Sequence, residues 1–131
     1  EEVSMIPPVV LGVAANHRVL DLCAAPGSKT QQLVEALEHV PGCDKTAGFV
    51  IGNDVDVKRC RLLVHQCKRL NSAHLLVTNH EGQRMPSNLG NGEHLRFDRV
   101  LCDVPCSGDV TIRKAPDQWR RWTEKPALGL H

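Results

Sequence analysis

Val19-Leu20-Asp21-Leu22-Cys23-Ala24-Ala25-Pro26-Gly27-Ser28-Lys29-Thr30 reads as an apolar strand that runs into small residues and Pro-Gly, with a helix beginning near Ser28. Small residues let a ligand approach the backbone closely, and free amides at a helix start favour electron-rich groups. The stretch therefore predicts a nucleotide-like cofactor across the first strand–helix turn, held by Cys23, Ala24, Ala25, Pro26, Gly27, Ser28 and Lys29. Two plainer readings compete. Any tight strand–helix turn needs Gly and Pro. Gly27-Ser28-Lys29-Thr30 also mimics the tail of a phosphate-binding P-loop, but Ser28 splits the Gly-Lys pair that such a loop needs, and Leu22 stands where its first glycine belongs.

Working outward, strand and helix patterns alternate. A strand over about 18–23 is followed by a helix over about 28–39 with Leu33, Val34 and Leu37 on one face. A second strand covers about 48–53. The helix over about 57–70 places Cys60, Leu63, Val64, Cys67 and Leu70 on a core stripe and turns most basic residues outward. Leu75-Leu76-Val77 makes a third strand and Phe97 to Cys102 a fourth, while Pro7 and Pro8 restrict residues 3–12 to a short or broken helix. This alternation implies an α/β fold with a parallel sheet and right-handed crossovers. In such folds an acid ending strand two accepts hydrogen bonds from ribose hydroxyls, which is the role assigned to Asp54. Its offset from the glycine turn exceeds the usual value of about 20 residues, and the polar segment Pro41 to Thr46 absorbs the excess. Asp56 suits the N-cap of the next helix.

Asp103-Val104-Pro105-Cys106 follows the apolar run Val100-Leu101-Cys102. Proline fixes the chain direction, so a carboxylate and a thiol are presented at a defined geometry where a strand stops. Ligands of open α/β sheets bind at the carboxyl ends of the strands, which makes this pair a candidate for chemistry. The competing reading is a small buried thiol beside a turn.

At 131 residues the chain is expected to form one domain over 1–131 at most. Lys plus Arg number 16 against 15 for Asp plus Glu, so net charge excludes no partner. Local clusters are more informative. Lys58, Arg59, Arg61, Lys68 and Arg69 load one helix without an intervening acid, and Arg113, Lys114, Arg120, Arg121 and Lys125 outnumber Asp117 and Glu124. Both can follow phosphates; the first reads equally well as a solvated helix face, and the second follows directly on the Asp-x-Pro-Cys loop. The six cysteines show no Cys-x-x-Cys pair, which argues against zinc and suits reduced thiols. No signal peptide or bilayer-length apolar run is visible, so the chain reads as intracellular and soluble. His65 and His74 show no ligand spacing. Trp119 and Trp122, three apart, are expected to pack a helix on its domain, with base stacking as the alternative.

Cys23-Ala24-Ala25-Pro26-Gly27-Ser28-Lys29-Thr30, Asn53-Asp54-Val55-Asp56 and Asp103-Val104-Pro105-Cys106-Ser107-Gly108-Asp109 together resemble the cofactor and cytosine motifs of the Sun-domain RNA (cytosine-5) methyltransferases. Val3-Ser4-Met5-Ile6-Pro7-Pro8 is similar to the segment preceding that family's cofactor strand, and Val64 to Leu70 and Asp117 to Trp122 are similar to its eukaryotic tRNA-methylating branch. The resemblance implies a Rossmann-like S-adenosylmethionine-dependent methyltransferase fold with a parallel sheet whose later strands are missing. It implies S-adenosylmethionine as cofactor, RNA and in particular tRNA as partner, no metal and no membrane. It points to the nucleus and nucleolus, with the cytoplasm as alternative. By the same resemblance Asp103 contacts the cytosine N3/N4 edge and also belongs to the cofactor site, Cys106 is the thiol that assists product release, and Glu81 stands where members usually carry an Asp that reaches adenine. Val110 replaces the family's glycine and would be strained if that position needs positive φ. The family's nucleophile is a second cysteine in a later Thr-Cys pair, and this sequence stops at His131 before it. Methyl transfer by the chain alone is therefore not expected, and an inactive cofactor- or RNA-binding fragment is the alternative. A Rossmann oxidoreductase is disfavoured because Gly-x-Gly-x-x-Gly is absent.

Overall fold

The computed structural model describes residues 2–39, 47–88, 94–106, 108 and 115–128. Four strands form one sheet in the order β3-β2-β1-β4, with β1 at Arg18–Asp21, β2 at Phe49–Asn53, β3 at Leu75–Thr78 and β4 at Arg99–Leu101. Every pairing is parallel; Asp21 lies opposite Gly52 on one side and Leu101 on the other. Among the described residues five α-helices accompany them: α1 (Ile6–Val10), α2 (Ser28–Glu38), α3 (Val57–Cys67), α4 (Gln118–Arg121) and α5 (Lys125–Leu128). The expected α/β parallel sheet is therefore present. Pro7 and Pro8 occupy the first turn of α1, where their missing N–H groups cost nothing, and the helix is short as anticipated.

The main core joins Val19, Val50 and Leu101 from three neighbouring strands to Leu33, Val34 and Leu37 of α2. The three α2 residues are fully buried, and burying each such side chain contributes about 1.5–3 kcal/mol. Leu63 and Cys67 of α3 form a second cluster with Ala24 and Ala25. The α3 stripe is narrower than its sequence pattern suggests. Cys60, Leu63 and Cys67 are buried, but Val64 is 51% exposed because it falls at the rim of a groove between the end of α3 and β3. The helix also tightens to 3-10 geometry over Lys68–Leu70.

Two strands are shorter than expected. β1 ends at Asp21, and the next carbonyl, Leu22 O, accepts from the Asn53 side chain at 3.1 Å instead of continuing the ladder. β4 covers only three residues; before it, Asp98 spends its carboxylate on the Arg18 amide at 2.7 Å. Trp119 and Trp122 are 74% and 55% exposed, contrary to the packing expectation. α4 is a single turn, and Trp122 follows it in extended backbone, so the two rings do not share a helix face.

Candidate functional site: the carboxyl ends of β1, β2 and β4

Asp21 is the last residue of β1 and is 1% exposed. Its Oδ2 accepts the Thr30 hydroxyl at 2.7 Å, which ties the strand end to the first turn of α2. Between them the chain makes the turn that carries a cis Ala25–Pro26 peptide. Gly27 caps α2 with φ of 112°, where any side chain is strained, and a Cβ there would meet Leu63 Cδ1 at 2.8 Å. Glycine thus lets the helix start press against α3. No side chain of the described residues caps α2, so its first amides have no such partner there and suit a ligand.

This turn encloses a small pocket of about 30 Å³, lined by Asp21, Cys23, Ala24, Ala25, Pro26, Ser28, Lys29 and Asp103. Asp103 reaches it from the end of β4 and accepts an ion pair from Lys29 Nζ at 2.7 Å. Burial pushes the Asp21 carboxyl up to about 6, against the opposing pull of the Thr30 hydrogen bond and the Lys29 charge; Asp103 and Asp54 add to the rise. Burial, then Asp54 and Asp21, raise the Cys23 thiol above its ordinary range.

Asp54, just past β2, is buried and faces the same turn. Its Oδ2 accepts from the Ala25 amide at 3.2 Å and from Arg59 Nε at 3.1 Å. Arg59 Nη2 also donates to Ala25 O at 2.7 Å, so one guanidinium clamps the acid to the turn. The second oxygen, Oδ1, takes the Asp56 amide at 3.1 Å. Asp56 is the N-cap of α3, as expected, accepting from the amides of Lys58 and Arg59. Asn53 binds the strand ends together. Its amide donates to Leu22 O and His80 O, and its oxygen accepts from Thr78 Oγ1 and the His80 amide, which exhausts its hydrogen-bonding capacity.

The model for the family 16S rRNA methyltransferase RsmB/F matches residues 8–128. The chain belongs to this RsmB/F methyltransferase family. It is 55% identical, over its whole length, to the multisite-specific tRNA:(cytosine-C(5))-methyltransferase of Saccharomyces cerevisiae and 56% identical to the tRNA (cytosine(34)-C(5))-methyltransferase of Drosophila melanogaster. It spans 20% and 18% of the length of these two curated relatives. Among solved structures it is similar to NSun6 from Pyrococcus horikoshii with SFG, at a TM-score of 0.65 and 28% identity over 80% of this chain and 24% of that one.

Of the site residues expected from sequence, the RsmB/F fold brings Cys23, Ala24, Ala25, Pro26, Ser28, Lys29 and Asp103 around one pocket, with Gly27 buried behind it. Asp54 joins them through Ala25. Glu81 is not among the residues lining the pocket. It follows β3 and pairs with Arg84 at 3.3 Å, both largely exposed. Cys106 is exposed and also outside the pocket lining. Ser107, Asp109, Val110, Arg113, Lys114 and the loop Pro41 to Thr46 with Cys43 lie outside the described residues. Cys23, Cys60, Cys67, Cys102 and Cys106 are free thiols. Among the described residues no group of three His, Cys, Asp or Glu side chains could hold a metal ion, and no helix is long and apolar enough to cross a membrane.

Sequence reasoning quoted Asp21 and Thr30 without a role and did not single out Asn53 as a strand-end tie or Arg59 as a clamp. A signal existed for Asp21: an acid closing an otherwise apolar strand, nine residues ahead of a hydroxyl in the first helical turn.

Proposed function

We propose that this chain forms the cofactor-binding part of an S-adenosylmethionine-dependent RNA cytosine-5 methyltransferase whose substrate is tRNA. The observation that carries the reading is the convergence of Asp103, from the Asp-Val-Pro-Cys segment, with Lys29 in the pocket of the first strand–helix turn. The tRNA cytosine-C5 activity printed for the yeast and fly relatives supports the substrate class, and SFG in the related archaeal structure supports an S-adenosylmethionine-like ligand.

The donor set fits that cofactor. Uncapped amides at the start of α2 suit a carboxylate, and Asp21, Asp54 and Asp103 supply negative charge for a cationic centre. Asp54 retains lone-pair capacity on Oδ1 for a ribose hydroxyl beside the Asp56 amide. The pocket encloses only about 30 Å³, so most of the ligand must lie outside it, across the strand ends toward Asp54. Glu81, as it stands, would need to leave Arg84 to reach an adenine amino group.

Bound S-adenosylmethionine supplies the methyl group. Cytosine C5 is a poor nucleophile, and a cysteine thiolate adding at C6 makes it electron-rich. The target base must leave its stack to be reached. Lys29 holds the Asp103 carboxylate at 2.7 Å, where it can accept from the N4 amino group and hold a proton at the N3/N4 edge. Cys106 follows Asp103 by three residues and is exposed, as a thiol assisting product release must be. We also propose residence in the nucleus and nucleolus, with the cytoplasm as alternative, which imaging of a tagged full-length protein distinguishes.

Calorimetry with S-adenosylhomocysteine and with NAD separates this reading from an oxidoreductase. In the full-length protein Asp54→Ala is expected to weaken S-adenosylhomocysteine by about 1–3 kcal/mol, the scale of a lost hydrogen bond to a charged group. Unchanged affinity in a folded variant would remove Asp54 from the site. Transfer of a labelled methyl group to cytosine C5 of unmodified tRNA, lost in Asp103→Ala, tests the activity; a purified full-length protein that binds the cofactor and never methylates tRNA would refute it.

A further inference from the structure

Five cations load the third helix and its extension, and the structure divides them by task. Arg59 is committed to Asp54 and Ala25 O, and Arg69 donates to the Gln31 side chain. Lys58, Arg61 and Lys68 are exposed and make no ion pair or side-chain hydrogen bond with any described residue. With His65 they fall at spacings of three, four and three, which puts them on one face. Asp56, the acid that precedes the helix, has its Oδ1 taken by the amides of Lys58 and Arg59. No acid occurs anywhere from Val57 to Leu70.

An ordinary solvated face mixes signs, because like charges three or four apart repel and cations in a first turn oppose the helix dipole. Here the chain keeps Lys58 in the first turn of α3 and adds two more cations behind it without compensation. Position adds a second argument. α3 starts at the carboxyl end of β2, beside the cofactor turn that Arg59 grips, and runs back down the flank of the sheet. Ten residues of helix rise about 15 Å, so the cations lead away from the site over a length in which a strand at about 3.4 Å per nucleotide presents roughly four phosphates.

We infer that the Lys58–Arg61–Lys68 face of α3 is an RNA-binding surface that contacts the phosphodiester backbone of the substrate on the β2 side of the cofactor turn. The inference rests on the RNA reading above. Phosphates are the partner of choice because the face carries three cations and no acid, and no described residue neutralises them; the groove at Val64, Leu75 and Val77, whose rim Lys68 shares, is where a protein segment would dock instead.

The test measures binding of unmodified tRNA to the full-length protein between about 50 and 200 mM KCl, a range over which phosphate contacts are strongly salt-sensitive. A Lys58→Gln, Arg61→Gln, Lys68→Gln variant is compared with the charge-keeping Lys58→Arg, Arg61→Lys, Lys68→Arg variant. The glutamine variant is expected to flatten the slope of log affinity against log [KCl] by about 2, at about 0.7 per lost contact with single-stranded RNA. The charge-keeping variant should match the parent slope, and both should bind S-adenosylhomocysteine as the parent does. A parent-like slope in the glutamine variant overturns the assignment and leaves the α3 flank to a protein partner or to solvent. Equal loss in both variants overturns it as well, since charge would not be the cause. A parent protein whose tRNA affinity ignores salt overturns the RNA reading together with this surface.

Discussion

Asp21→Asn isolates a buried charge that opposes folding. The Asp21 carboxyl is 1% exposed, and burial lifts it from an ordinary 3.8 to about 6. Its folded value lies above its unfolded value, so between these limits the folded chain binds more protons than the unfolded one, and stability falls as pH rises from 4 to above 6. At 1.36 kcal/mol per pH unit the displacement amounts to about 3 kcal/mol. Asparagine keeps an oxygen to accept the Thr30 hydroxyl and removes the ionisation. Urea unfolding of parent and variant chains across this range should therefore show curves that coincide near pH 4 and separate by about 3 kcal/mol at pH 7.5, with the variant more stable. The double difference cancels other groups, including Asp98, whose carboxyl the Arg18 amide pulls down and whose contribution has the opposite sign. Parallel curves, separated by the same amount at every pH, would show that Asp21 titrates normally and would refute the burial argument.

Two further substitutions probe the frame. Gly27→Ala adds a Cβ that meets Leu63 Cδ1 at 2.8 Å in a residue with φ of 112°, and should cost about 2 kcal/mol or more from strain and overpacking; a melting temperature within experimental error of the parent's would contradict the assigned turn. Asn53→Ala orphans four groups at the ends of β1 and β3, and should cost about 2–4 kcal/mol, with hydrogen exchange at the His80 amide accelerating more than in α2; equal acceleration everywhere would remove Asn53 as a local tie.

The features that sequence made legible are those whose cause is local. Asp56 could be assigned as a cap because its partners are the amides two and three residues on. Leu33, Val34 and Leu37 announce a buried helix face by spacing alone. The parallel sheet follows from alternation, and Asp54 and Asp103 from their places at strand ends. What escaped depends on separations that no local pattern encodes. Arg59 grips Ala25 O across 34 residues and Asn53 binds His80 across 27, so their roles exist only once the crossovers are made. Val64 obeys the α3 periodicity and still faces out, because a stripe records a helix's apolar residues and not the width of the surface it meets. Glu81 shows the converse, an acid at a promising strand end whose nearest opposite charge is its own neighbour Arg84.

Charge at the strand ends links stability to function. Asp21, Asp54 and Asp103 all act on one turn, since Asp103 and Asp54 each raise the Asp21 carboxyl further. Lys29 pairs with Asp103 and Arg59 with Asp54, which leaves Asp21 without a counter-cation of its own among the described residues. Thr30 supplies it a hydrogen bond, and a neutral hydroxyl only partly offsets the burial of a charge. A fold seeking stability alone would place an amide or an apolar side chain at the end of β1. Retaining a carboxylate there, ionised above pH 6 at the expense of stability, gives the described lining of the pocket one surplus negative charge. That surplus is the complement of a ligand carrying a positive centre, and the adjoining uncapped start of α2 is the complement of the carboxylate such a ligand also bears. The destabilising burial of the Asp21 carboxylate and the electrostatic match proposed for the cofactor are thus one arrangement of charges, seen without and with its partner.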